Sequence, residues 1–399
     1  MSPDWEFDPA ANPANRLPLL SELYAQDAPE SVLLAEYPSS NSDQTRFRNV
    51  DRYIIHDPFP PPRPELLKCL GPHHLMFGWG DRLAVTSQVR PPEALLDHWR
   101  DVLGDSAKPE WIEFDQLAAD QEFVVLFPHE TLKTDQQLVD PDDNYFLHSK
   151  QVIEQIECPQ AEVFDTIQFP CIAKLSHGYA GLSNYVLRQP DDEIRMNATL
   201  AERWPTAKLV YNSIIEEIVE DVGVQFYLRR DGRPVWLGFT EQAFDQSGRW
   251  CGGRFSAERQ AEMALKVFPE FIEPTAKYLS SRGYFGVVGI DILKNKSGDR
   301  FLVDVNPRLT GITPFLVASR ILSADDFNLR EGIYRASCRF QGSLDQLLAR
   351  VKSVPDAKVV VLSAFDDRAA GQTICHLSVN AESQAKCDAV FGQLLDSTS

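Results

Sequence analysis

Two short runs in the C-terminal half carry acids where acids are costly. Residues 286–293 read GVVGIDIL and residues 301–311 read FLVDVNPRLTG. Alternation along a strand puts Gly289 and Asp291 on one face of the first run. It puts Asp304 and Asn306 on one face of the second, with Val303 and Val305 opposite. The turn signal Ser297-Gly298 falls midway between Asp291 and Asp304, so a hairpin closed there sets the two carboxylates directly across from each other. Like charges in that position destabilise a strand pair. A divalent cation between them removes the repulsion. Two carboxylates and one amide carbonyl form an all-oxygen set that suits Mg²⁺ or Mn²⁺ rather than zinc. Arg308, two residues beyond Asn306, is placed to touch an anion bound by such a metal. Two acids at strand ends facing water would leave the same trace in the sequence.

A second constellation is FPCIAKLSHGYAGLSN at 169–184. An apolar strand ends at Lys174 and runs into a loop containing Gly178 and Gly181. Glycines let backbone N–H groups approach phosphate oxygens, and the lysine supplies a point charge. The order differs from a P-loop, because here the lysine precedes the glycines. A solvated hairpin loop with a snorkelling Lys174 is the alternative. A third is IIEEIVEDVGVQFYL at 214–228. Apolar residues flanking Glu216 and Glu217 describe a linker whose backbone could bond an adenine edge, with an acid or amide beyond it for a ribose hydroxyl. An edge strand with an acidic face fits the same letters.

These groups need elements to hold them. Strand-like runs at 31–37, 74–80, 110–114 and 122–128 alternate with a helical run at 91–104, which predicts a small parallel or mixed sheet flanked by helices over residues 1–140. From 141 to 345 the pattern predicts helices at 145–156 and 191–204, strands at 169–176, 208–220 and 224–230, and one long helix over 256–283. Ser256 is the expected N-cap of that helix and Gly283 its stop. Residues 346–399 read as a small α/β element with strands at 357–365 and 372–380 and a closing helix. The whole is an α/β and α+β multidomain chain.

Composition limits the partners. Of 399 residues, 58 are acidic and 39 basic, a formal charge of −19 that disfavours nucleic acid and anionic membranes as partners. Seven cysteines without a CxxC pair indicate reduced thiols and a cytoplasmic protein. No window offers the apolar run of a membrane span. A homodimer is the default oligomer.

Together and in this order, the three constellations resemble the ATP-grasp superfamily, from about residue 145 to 320. The resemblance implies an ATP-grasp fold of two subdomains with a hinge near 216–219, preceded by an α/β pre-ATP-grasp domain. It implies ATP and Mg²⁺ (or Mn²⁺) as cofactors. Lys150 in HSKQVIEQI stands where the family has its first phosphate-side lysine, and Lys174 where it has the second. His177, Gly178 and Gly181 stand in the loop over the phosphates. Glu216, Glu217, Ile218 and Val219 match the adenine hinge, and Gln225, or else Glu220, the ribose position. Asp291, Asp304 and Asn306 match the metal triad, with Asp304 in place of the commoner glutamate. Arg308 matches the arginine that contacts the transferring phosphoryl group. Gly289 replaces a further arginine found in some relatives, so the resemblance passes that task to Arg254. Arg254 and Arg308 then hold the substrate carboxylate, with Trp79, Trp250 and Phe315 lining the pocket. The implied reaction makes an acyl phosphate from a small carboxylic acid and ATP and passes the acyl group to an amine. Carboxylate–thiol ligation, phosphoryl transfer and a non-catalytic nucleotide-binding module are the alternatives.

Overall fold

Three sheets organise the described residues of the computed structural model, which are 19–40, 45–56, 64–104, 108–178, 184–246 and 248–395. In the first, β1 (Val32–Leu34), β2 (Ala84–Thr86), β3 (Glu110–Trp111) and β4 (Phe123–Val125) pair in parallel in the order β3-β2-β1-β4. Helices α1 (Leu20–Asp27), α2 (Pro64–Met76) and α3 (Glu93–Leu103) accompany it. The apolar stripe Leu95, Leu96, Trp99 and Leu103 turns α3 inward, and Gly104 at φ 91° ends it.

The strand expected at 74–80 is absent. Helix α2 runs through Met76, and the chain then turns at Gly78 and Gly80, with φ of 77° and 75°. A short apolar run cannot distinguish a buried helix end from a strand, and two left-handed glycines exclude extended backbone.

Helix α4 (Pro141–Leu147) opens the second region. Asp140 caps it by accepting from the amides of Asp142 and Asp143, with Pro141 as the first helical residue. The helix expected over 145–156 breaks at His148 and resumes as a 3₁₀ segment, Lys150–Gln155, capped by Ser149. The second sheet is antiparallel: β5 (Val163–Phe164), β6 (Cys171–Leu175), β7 (Asn184–Leu187) and β8 (Leu209–Ser213), in the order β5-β8-β6-β7. Helix α5 (Pro190–Arg203) packs Met196 and Leu200 against Cys171, Ala173 and Leu187.

The third sheet contains β9 (Ile218–Leu228), β10 (Pro234–Phe244), β11 (Trp250–Ser256), β12 (Gly286–Asn295), β13 (Arg300–Asn306), β14 (Glu331–Gln341), β15 (Ala357–Asp367) and β16 (Gln372–Ala381). Their order is β13-β12-β9-β10-β11-β14-β16-β15. Residues 346–399 therefore extend this sheet through β15 and β16 rather than building a sheet of their own. The long helix expected over 256–283 is two helices, α6 (Gln260–Val267) and α7 (Glu273–Ser281), joined by a wide turn at Phe268–Ile272. Pro269 and Pro274 remove two amide donors there, which loosens the ladder into that turn. Ser256 ends β11 and donates its hydroxyl to Glu331 instead of capping the helix. Gly283, at φ 76°, does end it. Val222, Val224, Ile290, Ile292 and Val305 bury one face of the sheet against Met263, Val267 and Phe271. The opposite face stays polar where β13, β12, β9 and β10 meet.

Helix α8 (Thr313–Asp325), which the sequence reading did not identify, follows β13 and is buried along most of its length. Helices α9 (Leu344–Lys352) and α10 (Gln384–Leu395) complete the chain.

Candidate active site

The hairpin β12–β13 pairs Asp291 with Asp304 and Gly289 with Asn306. Its register slips once, so that Ile292 faces Leu302 and Val303 becomes an extra, unpaired residue. This bulge changes the expected alternation. Leu302 and Val305 are the buried residues, while Val303 is half-exposed. The bulge also frees the Val303 carbonyl, which accepts from Lys174 Nζ at 2.8 Å. Lys174 thereby reaches from β6 of the second sheet to β13 of the third, beside the acid pair.

Lys150 reaches the same place from the 3₁₀ segment. Its ammonium lies 2.6 Å from each oxygen of Asp304, with 10% of the side chain exposed. Asn306 donates to Asp304 at 3.2 Å and accepts from Arg308 at 2.9 Å. Across the pair, Gln242 of β10 donates to Asp291 at 2.9 Å. Asp291 Oδ1, Gln242 Nε2 and Thr240 Oγ1 all fall within 4 Å of where a Cβ on Gly223 would stand, so glycine keeps a small polar cradle open.

The charges are unequal. Burial, then Asp304, pushes the Asp291 carboxyl up to about 8. Burial also pushes Asp304 up, but Lys150, Lys174 and Arg308 outweigh it and hold that carboxyl below its ordinary range. Lys174 is lowered by burial, with Asp304 opposing.

The set fits a hard divalent cation. Its donors are oxygens, a cationic ammonium already stands in on Asp304, and the cradle over Gly223 is polar. Among the described residues no cluster of three or more His, Cys, Asp or Glu could hold a metal alone. That agrees with Mg²⁺, which commonly takes one or two carboxylates and completes its shell from phosphates and water.

Arg308 closes one end. Its guanidinium donates to Tyr37 Oη at 3.0 Å and to the Leu309 carbonyl at 3.4 Å, and makes no ion pair among the described residues. Tyr37 follows β1, and Phe127 follows β4. The carboxyl ends of two adjacent parallel strands thus supply one wall, as expected for an open α/β sheet. With His148, Lys150, His177, Gly178 and Asn306 they line a tight cleft of about 10 Å³, the room of roughly one water. His177 donates to the Tyr145 carbonyl at 3.0 Å and stacks on that ring at 3.9 Å. Gly178 bridges to His56. Gly181 lies outside the described residues.

The hinge directs its acids outward. Glu216 and Glu217 are 63% and 70% exposed and face Arg188 and Lys296 at 3.6 and 3.4 Å. Glu217 sits at φ 51°, a left-handed kink between β8 and β9. Ile218 and Val219 are exposed beside it. This leaves backbone and apolar surface for a flat ring, with the Glu216 and Glu217 side chains turned away.

Two expectations are corrected. Gln225 is 1% exposed, and its amide is used at both ends, donating to Thr310 at 2.6 Å and accepting from Thr313 at 2.7 Å. It braces the loop after Arg308 from within the core, bonded through both ends of its amide. Arg254 pairs in register with Glu241, which faces Val222, which faces Ile292. That row belongs to the other face of the sheet from Asp291, whose row is Gly223 and Thr240. Arg254 bonds Gln384 and Asp388 of α10 at 3.0 and 3.3 Å. Nor does Gly289 leave room for an arginine: the Thr310 methyl lies 3.2 Å from where its Cβ would be. Trp79 and Phe315 are fully buried in the core, and Trp250 covers Gly311. The other expected alternative, Glu220, is held by Arg259 at 2.9 Å.

Two residues were missed. Asp221 faces Leu293 two positions before Gly223, on the face of Asp291 and next to the hinge, and burial pushes it up to about 6. Counting strand parity from Asp291 would have found it. His148 sits at the break between α4 and Lys150. The letters HSK contain it but give no sign that the helix stops there.

Residues 149–306 match the family model described as L-aspartate--L-methionine ligase, ATP grasp. Over that segment the chain is similar to the ATP-grasp superfamily. Within it, the match is to carboxylate–amine ligases. No curated protein sequence matches. The N5-carboxyaminoimidazole synthetase of Staphylococcus aureus, solved with ADP, is 12% identical over 78% of this chain and 90% of its own, with a TM-score of 0.51. The ADP complex of an N5-carboxyaminoimidazole ribonucleotide synthetase gives 12%, 78%, 85% and 0.50. At that identity they show the ATP-grasp fold alone. The biotin carboxylase of Campylobacter jejuni is 16% identical over 62% of this chain, which spans 64% of it, at a TM-score of 0.44. No helix among the described residues is long and apolar enough to cross a membrane.

Proposed function

We propose that this ATP-grasp protein is a cytoplasmic ligase that activates a small carboxylic acid with ATP as an acyl phosphate. It joins that acid to an amine and releases ADP and phosphate. The name of the matching family supports L-aspartate as the acid and L-methionine as the amine. The observation that carries the reading is the convergence of Lys150, Lys174 and Arg308 on the in-register pair Asp291–Asp304.

Asp291 and Asp304 would hold Mg²⁺, with Asn306 turning its oxygen from Arg308. Bound there, the metal would neutralise phosphate charge and polarise the transferring group. Lys174 and Lys150 lie where triphosphate oxygens would need cations, and Lys150 would move from Asp304 onto phosphate. Gly178 would place its amide against the same oxygens, with His177 holding the loop to Tyr145. The hinge at 216–219 would present backbone to adenine, and Asp221 would accept from the ribose hydroxyls. Arg308, which makes no ion pair among the described residues, would orient the acid for in-line attack and hold the acyl phosphate.

The test is direct. Incubation with ATP, Mg²⁺, L-aspartate and L-methionine should yield ADP, phosphate and a dipeptide detectable by mass spectrometry. Formation of AMP and pyrophosphate would contradict the acyl-phosphate reading.

A further inference from the structure

One buried histidine in the cleft has half of its ring unused. His148 Nδ1 lies 2.8 Å from the Asn144 carbonyl, one turn back in its own helix. A carbonyl can only accept, so Nδ1 carries the proton. Burial, followed by the charge of Arg308, pulls the imidazole down to about 3, so the ring is neutral. Nε2 is therefore a bare lone pair. It is buried and has no hydrogen-bond partner. The edge of Phe127 packs on the ring at 4.4 Å and fixes its plane. An unpaired buried acceptor is costly, and His148 lines the cleft that Lys150 and Arg308 also line.

The chemistry of its neighbours narrows what can meet Nε2. An anionic oxygen would set lone pair against lone pair there, and the two cations beside it already suit anions. An ammonium or metal ion would be repelled by those cations. A neutral N–H donor satisfies both conditions.

We infer that His148 Nε2 is the acceptor for the N–H of the uncharged amine substrate. It holds the amine nitrogen beside the carbonyl that Arg308 and Lys150 keep activated. The inference rests on the ligase reading and adds to it a residue for the second substrate. Only a neutral amine has the lone pair needed for attack, so a cation-rich cleft with one fixed acceptor selects the reactive form. An ordered water on Nε2 is the competing occupant.

The experiment uses the full chain with Mg²⁺, ATP, L-aspartate and L-methionine. His148→Ala should lower kcat/KM for L-methionine about tenfold, the worth of one neutral hydrogen bond. KM for ATP and L-aspartate should stay within about twofold on the same scale. His148→Gln, whose amide can reach the position of Nε2, should recover part of the loss. In wild-type protein labelled with ¹⁵N-histidine and loaded with a non-hydrolysable ATP analogue and L-aspartate, L-methionine should shift the His148 Nε2 resonance. A loss shared equally by all three substrates, or an Nε2 resonance unmoved by L-methionine, overturns the inference and leaves a structural or water-bound histidine. Hydroxylamine separates the two readings. If wild type forms no aspartyl hydroxamate, the ligase reading fails and this one with it. If the hydroxamate forms but L-methionine kinetics ignore His148, only this one fails.

Discussion

Arg308 and Arg254 lie 54 positions apart in the sequence and were equally plausible as substrate arginines. The structure treats them differently. Arg308 ends the polar row of the large sheet, donates to Tyr37 and Asn306, and makes no ion pair among the described residues, acting on Asp304 through its charge alone. Arg254 leaves the opposite face of β11 and is neutralised by Asp388, each side chain about 40% exposed. An arginine's charge is available for a ligand only where the fold withholds an acid from it. Strand parity, counted in register from Asp291 to Thr240, decides which arginine that is.

The comparison can be broken most sharply at the acid pair that Arg308 adjoins. Asp304→Asn keeps the shape and removes the charge that Lys150, Lys174 and a cation would share. It should lower kcat on the order of 10³-fold, equivalent to about 4 kcal/mol of barrier, in an ADP-release assay. Arg308→Ala should cost on the order of 10²-fold in kcat with little change in melting temperature. If Arg254→Ala lost as much activity, the parity argument would be wrong.

The next effect is one of pH. In the metal-free protein Asp291 keeps a proton that the unfolded chain releases near its ordinary value of 3.8. A carboxyl raised on folding stabilises fully below that value, and the contribution is lost as pH rises through about 8. Thermal melts in EDTA should therefore show stability falling across this window, by at most about 1.4 kcal/mol per pH unit. Asp291→Asn should flatten the slope. Mg²⁺·ADP should bind more tightly as pH rises over the same range, because the metal displaces that proton; affinity independent of pH would remove Asp291 from the metal site.

The smallest effect belongs to Arg254. Its exposed ion pair is worth about 0–1 kcal/mol, so Arg254→Ala should lower the melting temperature by about 2 °C. Activity should stay within about threefold, since the lost pair lies on the far face of the sheet.

Much of this was legible in the letters. The turn signal between two aspartates pointed to their pairing, although the turn centres on Ser297 and the bulge at Val303 is what brings Asp304 opposite Asp291. Lys150, Lys174 and the hinge were expected from the family resemblance, and the structure brings both lysines to the acid pair. Three features were not legible, each for a physical reason. The bulge at Val303 is a one-residue slip that alternation cannot reveal, and it exchanged Val303 for Leu302 in the core. The face of Arg254 depends on three successive strand pairings across β12, β9, β10 and β11, which local pattern does not encode. The role of Gln225 was hidden because its partners Thr310 and Thr313 are 85 and 88 residues away. His148 was passed over because YFLHSKQVIEQI reads as one helix, whereas the chain breaks there and turns the imidazole into the cleft.

The central claim is that a carboxylate oxygen of the acid takes the γ-phosphoryl group. L-Aspartate labelled with ¹⁸O in its carboxylates, incubated with ATP, Mg²⁺ and L-methionine, should pass one ¹⁸O atom into the released phosphate for each amide formed, read by mass spectrometry of the phosphate. Phosphate free of ¹⁸O, with amide still formed, would contradict it.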